Sequence, residues 1–259
     1  MKNVRMTIWI VVTVLLTLVG QGVGVDFSDG GIHNIDYSLN NSVSVDYLAP
    51  DMHTTVNLLT GGLVHDLAPH HNSQVTMSGG TVIGNLQAWD YSHVTLSGGY
   101  VGGVLDAYGQ VEITMSSGTV SSSLRVFGDS KVTMSGGSVG ESFDVSNNSL
   151  VTMSGGSVGG FLGVGDISQM TMSGGTIGLS INVSAGATLI ICGYNFAIDG
   201  NPVGLGTYSR SPVSSRLTGT LANGDFINNE FRGTITLIPE PATLLLLVIG
   251  SIILKKRIN

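Results

Sequence analysis

One feature constrains the fold of this chain more than any other. The stretch Val132-Thr133-Met134-Ser135-Gly136-Gly137-Ser138-Val139-Gly140 recurs in near copies at a fixed interval. The residue in the Met134 place is Met77, Leu96, Met115, Met134, Met153 and Met172, a constant period of 19 without slippage. A constant period this short belongs to a solenoid, in which each repeat is one rung that cannot bury its apolar face alone.

Stacking the repeats turns the sequence into columns. The Met134 column is apolar throughout, and four others share that property. They run Val75, Val94, Ile113, Val132, Val151, Met170; then Val82, Val101, Val120, Val139, Val158, Ile177; then Leu86, Leu105, Leu124, Phe143, Leu162, Ile181; and Ala88, Ala107, Val126, Val145, Val164, Val183. Residues between them at period two are polar, as in strands with one face inside and one outside. Thr76, Thr95, Thr114, Thr133, Thr152 and Thr171 form one outward column, and Ser78, Ser97, Ser116, Ser135, Ser154 and Ser173 the next. The Gly-Gly pair that follows is a corner, where the chain turns sharply.

Each rung therefore holds two or three short strands, around 132–134, 138–139 and 143–145, with corners at 136–137 and 146–149. Rungs pairing in parallel at ~4.8 Å make the six regular repeats a rod of roughly 29 Å. The expected fold class is all-β, a parallel β-solenoid of about 7–8 rungs with a small C-terminal β cap. A right-handed β-helix is the expected form, because left-handed hexapeptide helices favour a period of about 18. Composition alone would leave disorder open, since Gly fills 38 positions and charged residues only 10 % of the chain. Apolar residues, 42 % of the total, placed in strict period decide for an ordered core.

The period sets the expected boundaries. Residues 51–192 are the repeats; upstream of the regular ones, Leu59-Thr60-Gly61-Gly62 and, just before that range, Leu48-Ala49-Pro50 read as one or two degenerate rungs at a spacing near 18. Residues 25–50 become an N-terminal cap and 193–238 a C-terminal one, because solenoid ends must keep their open edges from pairing with other chains. Residues 1–24 read as a secretory signal peptide: Lys2 and Arg5 are basic, Ile8 to Val19 is an apolar run, and Gly20, Gly22 and Gly24 suit a signal peptidase. Cys192 is the one cysteine, so the exported fold has no internal disulfide and must hold by packing and backbone ladders.

At the other end, Pro239-Glu240-Pro241 leads into apolar Leu244 to Leu254, and Lys255-Lys256-Arg257 follows. These three elements in this order resemble the PEP-CTERM sorting signal of Gram-negative bacteria, over residues 239–259. The resemblance implies an exosortase-type membrane protease as processing partner. It also implies a membrane-held C-terminal segment before processing, and export to the cell envelope, outer surface or extracellular matrix. A plain C-terminal anchor has the same physical make-up, with the basic cluster kept cytoplasmic. Five of the ten basic residues and one of the 17 acidic ones lie in the two ends. That leaves 16 acidic against 5 basic, a net of −11, which disfavours nucleic acid or anionic lipid as a partner.

Candidate sites lie on the outward columns. Trp89, Tyr108 and Phe127 form one column, two residues after Gln87, Asp106 and Arg125. Exposed aromatics beside carboxylates and amides suit sugar rings, so Trp89, Tyr108, Phe127, Asp106 and Arg125 are the candidate polysaccharide-binding set. The same column also suits a purely structural stack, since similar side chains stack well along solenoids. Right-handed β-helices include pectin lyases and polysaccharide hydrolases, which makes a polysaccharide-degrading enzyme the alternative class. Asp106 and Asp144 lie two rungs apart, about 10 Å, with Arg125 between, which reads more simply as an ion ladder. The Thr-x-Ser columns resemble the hydroxyl grids of β-solenoid ice-binding proteins, a lesser alternative. His33, His53, His65, His70, His71 and His93 cluster early without carboxylates in a ligand pattern, so neither metal nor cofactor is expected. A non-enzymatic exported structural or adhesive protein is the expected function.

Overall fold

A computed structural model describes residues 24–46 and 52–240. Its described residues contain strands and turns and no helix, and they wind into a parallel β-solenoid of about nine turns. Each regular turn contributes one strand to each of three ladders. The threonine ladder runs through Gln74–Met77, His93–Leu96, Glu112–Met115 and Lys131–Met134, then through the first halves of Leu150–Val158 and Gln169–Ile177. The valine ladder stacks Thr81–Val82, Tyr100–Val101, Thr119–Val120 and Ser138–Val139. The aromatic ladder stacks Leu86–Asp90, Leu105–Gly109, Leu124–Val126, Phe143–Val145, Leu162–Val164 and Ser180–Val183.

Register partners in the regular turns keep the period of the sequence, as in Val94↔Ile113 and Leu124↔Phe143. The thirty residues of the five apolar columns are all buried, none more than 7 % exposed. Their neighbours at period two face outward, and Thr95, Thr114, Thr133 and Thr152 stand exposed in a single line. The second glycine of the corner has positive φ in every regular turn, for instance +82° at Gly137. A Cβ there would also lie 2.5 Å from the Met115 methyl of the turn below. The methionine column therefore packs against the corner it precedes, which explains why these two columns keep their identity together. At the next corner the left-handed position passes through His71, Asp90, Gly109, Gly128, Asn147 and Asp166, residue types that tolerate φ > 0.

The ladders run on across two of the expected boundaries. Residues 25–46 join them as the first turns: Val25–Phe27 lies parallel to Val43–Val45, which lies parallel to Leu67–Pro69. Ile32–Ile35 likewise pairs with Thr55–Leu58. These three pairings depart from the regular period in both directions, so loop length hides a register that strand chemistry keeps. In the degenerate rung, Leu58 rather than Leu59 takes the methionine place; the spacing is 19 at Leu58↔Met77 and falls to 18 at Leu63↔Thr81. Leu48-Ala49-Pro50 lies outside the described residues. At the far end, Thr188–Ile198 runs through the expected border at 192. Phe226–Ile238 then lies parallel on the last turn and antiparallel to Gly206–Leu221. That hairpin closes the core with buried Phe231, Ile235, Leu237, Leu217 and Leu221. Cys192 is buried there as a free thiol, and burial pushes its pKa up.

One interior column is polar. Thr54, Ser73, Ser92, Ser130, Ser149 and Ser168 are buried at the second corner, with Val111 taking the same place in one turn. Hydroxyls in this column face corner carbonyls: Ser149 donates its one proton to the Ser146 carbonyl at 2.5 Å, with the carbonyls of Val126 and Gly128 both at 3.3 Å. Ser92 Oγ has no partner among the described residues. Ser149→Ala should therefore cost about 1–2 kcal/mol, while Ser92→Ala should be neutral or stabilising. Paired urea melts decide it; equal losses from both variants would show that the column does not cap carbonyls.

Candidate functional site

The column geometry builds the site from the aromatic ladder outward. In Leu105–Gly109 the side chains of Leu105 and Ala107 go into the core, so Asp106 and Tyr108 share the outer face. The parallel register sets Gln87 below Asp106 and Arg125 above it, and Trp89 below Tyr108. Trp89 and Tyr108 stack with centroids 4.3 Å apart at 22°, and Tyr108 and Phe127 at 5.2 Å and 5°. His70 extends the stack downward, 6.2 Å from Trp89 and inclined by 8°. The expected column ends at Trp89, yet His70 stands one full period before it, and that spacing is the signal that marks it. Rings stacked in this way cover one another's faces and leave edges to solvent, and all four are half-buried.

Asp106 lies beside this stack. Although it stands on the outer side of its strand, it is fully buried, enclosed by its own partners. Arg125 donates to it through Nε at 2.7 Å and Nη2 at 2.8 Å, the bidentate geometry that makes such pairs strong. The Tyr108 hydroxyl donates at 3.1 Å, and Gln87 Nε2 stands at 3.4 Å. The Asp106 hydrogen bond holds the Arg125 guanidinium above its ordinary pKa. Burial, then the neighbouring Asp106 carboxylate, push the Tyr108 hydroxyl up as well, so it stays a donor at neutral pH. Asp144, one turn above Arg125, takes a 2.5 Å hydrogen bond from Ser142.

The other candidates separate. His33 pairs with Asp29, His65 with Asp66 and His71 with Asp46, each at 2.8 Å, and His93 with Glu112 at 3.4 Å. Each of these histidines thus has a carboxylate partner, His93 at the regular period and His71 outside it, and no three metal-binding side chains converge among the described residues. In the outward serine column, Ser97 and Ser116 turn their hydroxyls back to the carbonyls of Met77 and Leu96 at 3.4 and 3.5 Å. That leaves Thr as the regular part of the grid. Three clefts of about 480, 270 and 240 Å³ lie away from the stack: one in the C-terminal hairpin by Tyr194, Phe196 and Leu205, one along His93, Glu112 and Lys131, and one by Phe161, Asn182 and Arg232. Pro239 and Glu240 follow the last strand; Pro241, Lys255, Lys256 and Arg257 lie outside the described residues.

Fold and site together define a parallel β-solenoid carrying a surface stack of rings beside a buried ion pair. Comparison with protein-family models, with characterised proteins and with solved structures finds no match.

Proposed function

We propose that this is a non-enzymatic, exported structural or adhesive protein that holds polysaccharide along its aromatic ladder. The observation that carries this reading is the in-register stack of Trp89, Tyr108 and Phe127 beside Arg125 and Asp106. Apolar ring edges beside a fixed guanidinium offer a sugar chain an apolar strip and a donor. Polysaccharide cleavage by a carboxylate pair draws no support from the same geometry. Asp106 is enclosed and already accepts from Arg125 and Tyr108, so it is not presented to a substrate, and Asp144 accepts from Ser142. The full chain, tested on a glycan array, should bind a set of oligosaccharides without turnover, and Trp89→Leu should weaken that binding at least tenfold. Release of reducing ends, abolished by Asp144→Asn, would replace this reading with the enzyme.

Export and anchoring belong to the same proposal, carried by the PEP-CTERM resemblance of residues 239–259. The ladder supports it in one respect: its last strand ends at Ile238, and Pro239 and Glu240 stand beyond it with no strand partner. Cleavage there would leave every described strand whole. Eleven residues, Leu244 to Leu254, would span about 16 Å if helical, against a ~30 Å hydrocarbon core, a weak anchor that suits a transient handle. Mass spectrometry of protein from the native host should find a C-terminus near Glu240. Bulk material ending at Asn259 would refute processing.

A further inference from the structure

The aromatic stack ends abruptly, and what lies beyond it is bare. The place above Phe127 is taken by Ser146, and the next turn, Leu162–Val164 with Gly165 after it, has glycine at both outward positions, 163 and 165. The heavy atoms nearest the spot where a Cβ on Gly165 would sit include the hydroxyl oxygens of Ser146 and Ser184, at 3.5 and 3.9 Å. No ring contact covers the upper face of Phe127 among the described residues, whereas its lower face rests on Tyr108. Small side chains at 146 and 165 thus leave a shallow notch above the ring, with Asp144 standing over Gly163 at its side.

Polar groups surround this notch. Asp144 leans into it, its Oδ1 2.6 Å from where a Cβ on Gly163 would be, and only its Oδ2 is taken, by Ser142. Arg125 uses Nε and Nη2 on Asp106, which leaves Nη1 on a side chain that is 40 % exposed. A flat occupant continuing the stack would thus meet one ring below it, and a cationic donor, an anionic acceptor and serine hydroxyls at its edge. A cation is disfavoured by the guanidinium beside the ring. An anion is disfavoured by Asp106 and Asp144 and by the net charge of −11 on residues 25–239. A neutral ring with an apolar face and hydroxyls at its rim meets all of these conditions.

The geometry points to a neutral pyranose unit seated on the open face of Phe127, in the place a ring at position 146 would fill, with its hydroxyls bound by Asp144, Arg125 and Ser146. This rests on the polysaccharide reading above and narrows it to one subsite and one sugar class. Calorimetry on the full chain with cello-, xylo- and laminari-oligosaccharides, and with oligogalacturonate as the anionic counterpart, tests it. Ser146→Phe should extend the stack into the notch and abolish binding of the neutral ligand while keeping the melting temperature. Phe127→Leu, which removes the ring and keeps an apolar side chain, should weaken binding at least tenfold and decides the matter if Ser146→Phe does not fold. Wild-type affinity in either folded variant, or preference for oligogalacturonate, would overturn the subsite. If Trp89→Leu loses binding while these two keep it, the ladder reading stands and this inference falls. If no oligosaccharide binds the wild-type chain, both fall.

Discussion

Replacing Val139 with aspartate should lower the stability of the solenoid by about 4 kcal/mol or more. For a chain of this size that is on the order of 10 °C in melting temperature. Val139 is 1 % exposed and stands between Val120 below and Val158 above in the valine ladder. A carboxylate there would have apolar partners on both sides and no donor within its own column. Each turn contacts only its neighbours, so the loss falls at the junction of adjacent turns and should split one cooperative melt into two segments. Thr133→Asp is the control: Thr133 is exposed in the same turn, and a surface substitution stays within about 0.5 kcal/mol. Equal melts for the two variants would mean that the inward column is assigned wrongly.

The inward columns are legible because two periods agree on them. Alternation at period two gives the face, and repetition at the longer period gives the stacking partner, so thirty positions can be assigned from residue type alone. Where either period weakens, the reading weakens with it. Val25, Ile35 and Val43 pack inward, but their partners Val43, Leu58 and Leu67 fall off the regular step, and a search at constant spacing passes over them. The interior serines mislead in the opposite sense. Ser149 keeps the period, yet a hydroxyl reads as outward unless the carbonyls around it are known, and those belong to three different residues. His71 hides its pairing for a similar reason, because its carboxylate partner is Asp46, outside the regular spacing.

The site shows the same division. That Asp106, Arg125 and Asp144 share a column follows from spacing, and an ion ladder is the simpler expectation. The structure supplies the asymmetry: Arg125 gives two hydrogen bonds to Asp106, while Asp144 turns toward Gly163. Nothing in the sequence pattern reveals that Asp106, on an outward position, is fully buried. Its enclosure needs Gln87, Tyr108 and Arg125 to fold over it together.

That enclosure makes Arg125 the surface residue whose loss should matter most. Arg125→Ala would leave a carboxylate at 0 % exposure with the Tyr108 hydroxyl at 3.1 Å and Gln87 at 3.4 Å as its remaining partners. Breaking a buried pair from one side costs about 3–5 kcal/mol, because the remaining charge stays buried without its partner. Arg125 is 40 % exposed, so water can enter where the guanidinium was, and a loss of about 2–3 kcal/mol is expected. Arg125→Lys should recover only part of this, since an ammonium cannot reproduce the two-pronged contact. Adding Asp106→Asn to Arg125→Ala removes the stranded charge and should restore most of the stability, giving a coupling energy of opposite sign to the single losses. Denaturant melts of the four proteins in the cycle measure it. If Arg125→Ala alone stays within about 0.5 kcal/mol of wild type, the pair is not what allows Asp106 to be buried. The rigid edge that it gives the aromatic stack would then need another source.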